Sequence, residues 1–139
     1  MHEKIEKDVK DVVQDICQFI DSKQEGCFIF GGEALVHVTE NGKGGRNQHL
    51  ILSLLEKFPT DKKLTILSAA SDGIDGNSNS AGAVIDNDSV NKVRLLNLDI
   101  TSYLNSFNSN IFFEKMGDLI NTGASHNNML DVLIIHIKK

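Results

Sequence analysis

Tryptophan is absent from the 139-residue chain, and proline occurs once, as Pro59. Only two cysteines are present, Cys17 and Cys27. They fall in a helical and a strand-like pattern, with neither metal-ligand spacing nor a CxxC arrangement. Buried, reduced thiols in a cytoplasmic protein are therefore the expectation. The five histidines include no HxH or HxxxH pair, so no zinc site is indicated. Positive charge is in short supply: 14 Lys and Arg stand against 19 Asp and Glu, a net charge of −5. That balance argues against a nucleic-acid or anionic-membrane footprint, both of which need clustered positive charge. No apolar run approaches the ~20 residues of a membrane span. The start, Met1-His2-Glu3-Lys4, leads into an amphipathic pattern and not into a secretory signal. Internal repeats, low-complexity tracts and linkers are also missing.

What remains is an ordinary globular composition, 40% hydrophobic and 24% charged. The length fits one domain, residues 1–139, able to bury a core without disulfides. Ile5, Val9, Val12, Val13, Ile16, Phe19 and Ile20 recur at helical spacing, which predicts an amphipathic helix over residues 3–22 packed on the core. Cys27–Phe30 and Ala34–Thr39 read as strands joined at Gly31-Gly32. Leu50, Ile51, Leu54, Leu55 and Phe58 mark a second helix, stopped by Pro59. Leu64–Ala69 is apolar on both faces, as expected of a central strand covered on each side. Ala81–Ile85 reads as a strand, and Asp88 or Ser89 as the cap of the helix after it. A short helix capped by Asp99, a helix from about Asn108 to Gly117 and a last strand, Leu130–Ile137, complete the chain. Strands alternating with helices predict an α/β fold: a mixed, mostly parallel sheet flanked by helices on both faces.

Two segments are dense in chemistry. The first is Gly42-Lys43-Gly44-Gly45-Arg46-Asn47-Gln48, between a strand pattern and a helix. It reads either as a tight strand-to-helix turn or as an anion site, with glycine backbone and helix N–H groups facing the ligand and Arg46 adding a charged fork. It is not a Walker A loop, because no Gly-Lys-Ser/Thr follows at the required spacing, nor a dinucleotide fingerprint, because the third glycine position holds Asn47. The second is Ser71–Ser80, an oxygen-rich loop after the central strand. Its Asp, Gly, Asn and Ser are standard turn formers. Asp72 and Asp75 can equally hold Mg²⁺ or orient a hydroxyl. Glu33, after two glycines, is a turn residue or a functional carboxylate. His126, in the polar turn Ala124–Asn128, sits at the surface or touches substrate.

Three ordered motifs go further: Gly31–Gln48 (GGEALVHV with GKGGRNQ), Ser71–Asp86 (SDGIDG with SAGAVID) and Phe112–Gly123 (FFEKMGDLINTG). Together they resemble the MOFRL domain of class II glycerate 2-kinases, a family that also carries the name hydroxypyruvate reductase. The resemblance covers about Gly31 to Ile137. It implies phosphoryl transfer from ATP to D-glycerate at a cleft shared with a Rossmann-like N-terminal domain, in cis or in trans, without which this chain is inactive. It implies Arg46 as the active-site arginine. Asp72 and Asp75 follow as catalytic or Mg²⁺-binding groups, and Lys43, Gly44, Gly45, Asn47 and Glu33 as contacts to substrate or phosphate. Departures occur at His49, where the family has Glu after the arginine motif, and at Ala124–Asn128, where its proline and second glycine are gone. Two alternatives follow: a stand-alone, non-catalytic anion- or nucleotide-binding module, or part of a hydroxypyruvate reductase. An exposed interface face would favour a homodimer.

Overall fold

The computed structural model describes residues 7–139. In chain order the elements are α1 (Val9–Ser22), β1 (Gly26–Gly32), α2 (Arg46–Glu56), β2 (Lys63–Ala69), β3 (Gly82–Asp86), α3 (Asn87–Leu95), α4 (Ile100–Asn105), α5 (Ser109–Met116), β4 (Leu119–Ile120) and β5 (Asp131–Lys138).

Helix α1 starts where Asp8 accepts the Lys10 N–H, and its buried face is Val9, Val12, Val13, Ile16 and Ile20. The expected first turn at residues 3–6 lies outside the described residues. At the other end Lys62 Nζ reaches back to the carbonyls of Ile20, Asp21 (3.2 Å) and Lys23 (2.7 Å). One ammonium thus satisfies the orphan carbonyls of a helix end and opposes its negative pole. Lys62→Met is expected to lower the unfolding free energy by about 1.5–3 kcal/mol, the range for bonds to a charged donor. Urea denaturation checks this; an unchanged midpoint would show that solvent serves those carbonyls equally well.

The five strands run in the order β1-β5-β2-β3-β4, and every neighbouring pair is antiparallel. The mostly parallel sheet expected from the alternation of elements is therefore incorrect. β2 returns to β3 through the Ser71–Ser80 loop with no crossover helix, and β5 inserts between β1 and β2. The expected strand Ala34–Thr39 also fails: only Leu35 makes a bridge, to Asp8. Its alternation leaves Leu35 and Val38 exposed, with no sheet neighbour to cover them.

Helices do not cover both faces. One face presents Leu64, Ile66, Ala83, Leu133, Ile135 and Ile137, all buried in the core with α1, α2 and α5. Phe28 and Phe30 of β1 extend it, each packed edge-to-face with Phe19. On the other face no residue of β1, β2 or β5 is fully buried. A row of apolar side chains nevertheless crosses it in register: Ile29, Ile134, Leu67 and Val84. That row makes β2 apolar on both sides without a second helical layer. Cys27 points the same way and is exposed, contrary to the expected burial, while Cys17 is half-buried.

Local signals after β3 are largely met. Asp86, not Asp88 or Ser89, caps α3: it accepts the Asp88 N–H, and Ser89 Oγ accepts the Asp86 N–H. Asp99 caps α4, and Gly117, at φ 72°, closes α5 in the left-handed region. Among the described residues no helix is long and apolar enough to cross a membrane.

Candidate active site

The two segments singled out in the sequence meet at one end of the sheet. The glycine loop leads into α2, and the Ser71–Ser80 loop leaves β2 beside it. Asp75 joins them. It is 2% exposed, yet its carboxylate is fully engaged. Oδ1 accepts the N–H and Nδ2 of Asn47, both at 3.1 Å; Oδ2 accepts the N–H and Nε2 of Gln48, both at 2.9 Å. Four donors fill the four acceptor positions of a carboxylate. Burial pushes the Asp75 carboxyl up from its ordinary value, and the four N–H donors hold it down against that push.

The network spreads through buried polar side chains. Asn47 Oδ1 accepts from Ser68 Oγ (2.6 Å), Gln48 Nε2 donates also to Ser78 Oγ (2.9 Å), and Gln48 Oε1 accepts from Asn110 Nδ2 (2.8 Å). β2, α2, α5 and the Ser71–Ser80 loop are thereby held in one register. Two glycines let the loops close on each other. A Cβ on Gly45 would lie 2.3 Å from Asp75 Oδ1, and one on Gly44, at φ +150°, 2.2 Å from Ser109 Oγ. Asn77 adds a clasp, accepting the Gly44 N–H and donating to the Gly42 carbonyl, both at 2.9 Å.

These bonds correct the picture of an open anion cradle. The N–H groups of Gly44, Asn47 and Gln48 are already taken, the last two by Asp75, which acts as the helix's own anion. Those of Gly45 and Arg46 have no acceptor among the described residues. Lys43 is exposed and outside the cleft lining; its backbone binds Asn108 Oδ1 and the Asn110 N–H.

Arg46 opens α2 at the rim of a cleft of about 560 Å³. Its Nε and Nη2 grip Asp131, the first residue of β5, and Nη2 also lies 3.2 Å from Glu33 Oε1. Nη1 has no partner among the described residues. The Asp131 hydrogen bond, first of all, raises the Arg46 pKa further, so the guanidinium stays charged. Asp131 lies outside every motif of the sequence. The signal was there: a carboxylate heading an otherwise apolar strand. Asp72 lines the same cleft, Oδ1 accepting the Ile74 N–H at 3.0 Å. Its carbonyl accepts the Ser125 N–H (2.9 Å), which fixes the altered Ala124–Asn128 turn beside the cleft. His126 is exposed, at φ 58°, and does not line the cleft.

Arg46, Asp72 and Asp75 thus share one cleft, with Asp75 withdrawn into its floor. Among the described residues no three His, Cys, Asp or Glu side chains cluster to hold a metal. His49, one turn along α2 from Arg46, also lines the cleft, with its ring stacked on Phe107 (centroids 5.2 Å apart, planes 13°). Burial lowers its pKa. A folded-state pKa below the unfolded one adds stability above the unfolded value near 6.5, lost as pH falls through the folded pKa. His49→Gln is expected to flatten the acid-side slope below pH 6.5 in a stability–pH series; an identical slope would place its origin elsewhere.

Fold and cleft define a two-layer α/β domain with an arginine-bearing cleft at the sheet end, braced from beneath by a buried carboxylate. The MOFRL family model matches residues 26–131; the chain belongs to the MOFRL family. It is 36% identical over 112 residues to a D-glycerate 2-kinase of Thermotoga maritima, covering 81% of this chain and 27% of that protein. It is 36% identical over 132 residues to a glycerate 2-kinase of Picrophilus torridus, covering 92% of this chain and 30% of that protein. The crystal structure of Thermotoga maritima glycerate kinase superposes with a TM-score of 0.89 at 30% identity, over 99% of this chain and 35% of that one. The chain therefore spans about a third or less of the relatives it matches.

Proposed function

We propose that this chain forms one wall of the active site of a D-glycerate 2-kinase, which transfers the terminal phosphoryl group of ATP to the 2-hydroxyl of D-glycerate. The observation that carries the reading is Arg46. Its guanidinium is held by Asp131 and Glu33, and among the described residues Nη1 and the backbone N–H groups of Gly45 and Arg46, two residues that line the same cleft, have no acceptor. These donors suit one small anion, the glycerate carboxylate or the phosphoryl group in transit. Phosphoryl transfer depends on such positioning and charge stabilisation more than on covalent chemistry.

The charge of the wall limits its role. Glu33 and Asp131 offset Arg46, and Asp72 adds a further carboxylate nearby. Such a surface does not attract a triphosphate unaided. The nucleotide phosphates are met by the rest of the enzyme, the Rossmann-like N-terminal domain, with Mg²⁺ carried in on ATP. Asp72 is the residue on this wall that would hold the ion, through the oxygen not bonded to Ile74. Asp75, with its four acceptor positions filled, is a positioning residue for Arg46 and the loop. Mg²⁺ bound to phosphate keeps several waters and needs only one or two carboxylates, so a single aspartate fits it. For the reductase alternative, this wall offers no dinucleotide loop: Asn47 stands where such a loop needs glycine, and its side chain is bonded into the core, so a nicotinamide site would have to lie in the rest of the protein.

Grafting this chain in place of the matching segment of the Thermotoga maritima D-glycerate 2-kinase tests the proposal. Glycerate-dependent ADP release is expected from the graft and not from the isolated chain. A folded graft that binds glycerate without turnover would establish the stand-alone binding module instead.

A further inference from the structure

We propose that His49 is a catalytic residue of this wall, the group that accepts the proton of the substrate hydroxyl; this rests on the kinase reading above. Transfer to an alcohol breaks one O–H bond. As the hydroxyl oxygen bonds to phosphorus, the bond to the ADP oxygen breaks, its electron pair leaves with ADP, and the hydroxyl proton needs an acceptor within reach.

The carboxylates in and beside the cleft are largely spoken for. Asp75 receives four donors, Asp131 and Glu33 hold Arg46, and Asp72 receives the Ile74 N–H and is the residue assigned to the ion. His49 is different. Its ring stacks on Phe107, and neither ring nitrogen has a hydrogen-bond partner among the described residues. It sits three residues after Arg46, on the same side of α2, where side chains are about 5–6 Å apart at Cβ. Both line the one cleft, so a small hydroxy acid held at Arg46 by its carboxylate presents its 2-hydroxyl on the same wall as the His49 ring.

The imidazole is backed by a fixed ring. Phe107, at φ 54°, takes the left-handed position that closes α4, with its N–H bonded to the Leu104 carbonyl and the Asn108 N–H to the Tyr103 carbonyl. The ring is desolvated, and its charged form is disfavoured by burial alone. What suits the ring to accept a proton is its position on the cleft wall with both nitrogens free of hydrogen bonds among the described residues. The ionisable groups lining the two hollows on either side of the ring are Arg46, Asp72, Asp75 and Asp131 in the cleft. In the groove between α1, α2 and α4 they are Asp8, Lys10, Cys17, Asp21, His37, Glu56 and Lys57.

Two measurements test this. In the full chain, D-glycerate is titrated while the imidazole nitrogens are followed by NMR. The His49 resonances are expected to move, and Arg46→Ala to abolish the movement; glycerate-induced shifts at Arg46 with none at His49 overturn the proposal. In the graft, His49→Gln is expected to lower kcat roughly 10²–10⁴-fold with KM little changed, and to remove the acidic limb of the kcat pH profile. Full activity in His49→Gln, or a loss confined to KM, overturns the role of His49 and leaves the kinase reading intact. A folded graft with native His49 and no glycerate-dependent ADP release overturns both.

Discussion

Asp75→Ala is expected to lower the unfolding free energy by about 3–5 kcal/mol, the cost of removing one partner from a buried charged cluster. The substitution strands four donors, the N–H and amide groups of Asn47 and Gln48, in a region closed to water. Each buried donor left without an acceptor costs about 1–3 kcal/mol before relaxation. Domains of this size are stable by roughly 5–15 kcal/mol, so the loss is a large share of the total. Asp75→Asn does not rescue it, since the new amide sets its own N–H groups against two of the donors. Urea denaturation of both variants checks the prediction. Near-native stability for Asp75→Ala would mean that water enters and satisfies the site, and Asp75 would again be free to act on substrate.

The second large effect falls on activity. In the graft, Arg46→Ala is expected to reduce kcat/KM for glycerate by about 10³-fold or more, in line with arginines that stabilise phosphoryl-transfer transition states. Stability falls too, because Asp131 is left buried without its partner, but less than for Asp75→Ala, since the Arg46 side chain is 40% exposed and water can enter in its place. Arg46→Lys restores little. A lysine ammonium can replace the charge but not the grip of Nε and Nη2 on Asp131, which aims the group. The comparison of the two variants separates charge from geometry: recovery by lysine to within a few fold would show that a point charge suffices. Steady-state ADP release at varied glycerate gives both numbers.

These two expectations divide the residues that the sequence offered as one group. Arg46, Asp72 and Asp75 stand out in the chain for the same reason, charge within a glycine-rich run. Only the fold shows that Asp75 faces inward onto the start of α2, while Arg46 faces the cleft. The reason is backbone hydrogen bonding. The first turn of a helix needs acceptors, and Asp75 supplies them from 28 residues away for Asn47 and 27 for Gln48. No local pattern reports a bond of that span. Asp131 is hidden in the same way, lying 85 residues from Arg46.

Much was nevertheless decided by the chain itself. Apolar spacing set the buried face of α1 and the existence of α2, and Pro59 follows soon after its end. Asp99 and Gly117 marked their helix ends because a cap bond or a left-handed turn is made within a few residues. The glycines at 42, 44 and 45 announced a close approach of backbone, and the ordered motifs pointed to the family. Strand direction, the number of helical layers, the engagement of each carboxylate and the joining of Arg46 to Asp131 belonged to the tertiary structure alone. Periodicity records which side of an element is apolar. It carries no term for which strand lies next to it, or for which distant side chain completes its hydrogen bonds.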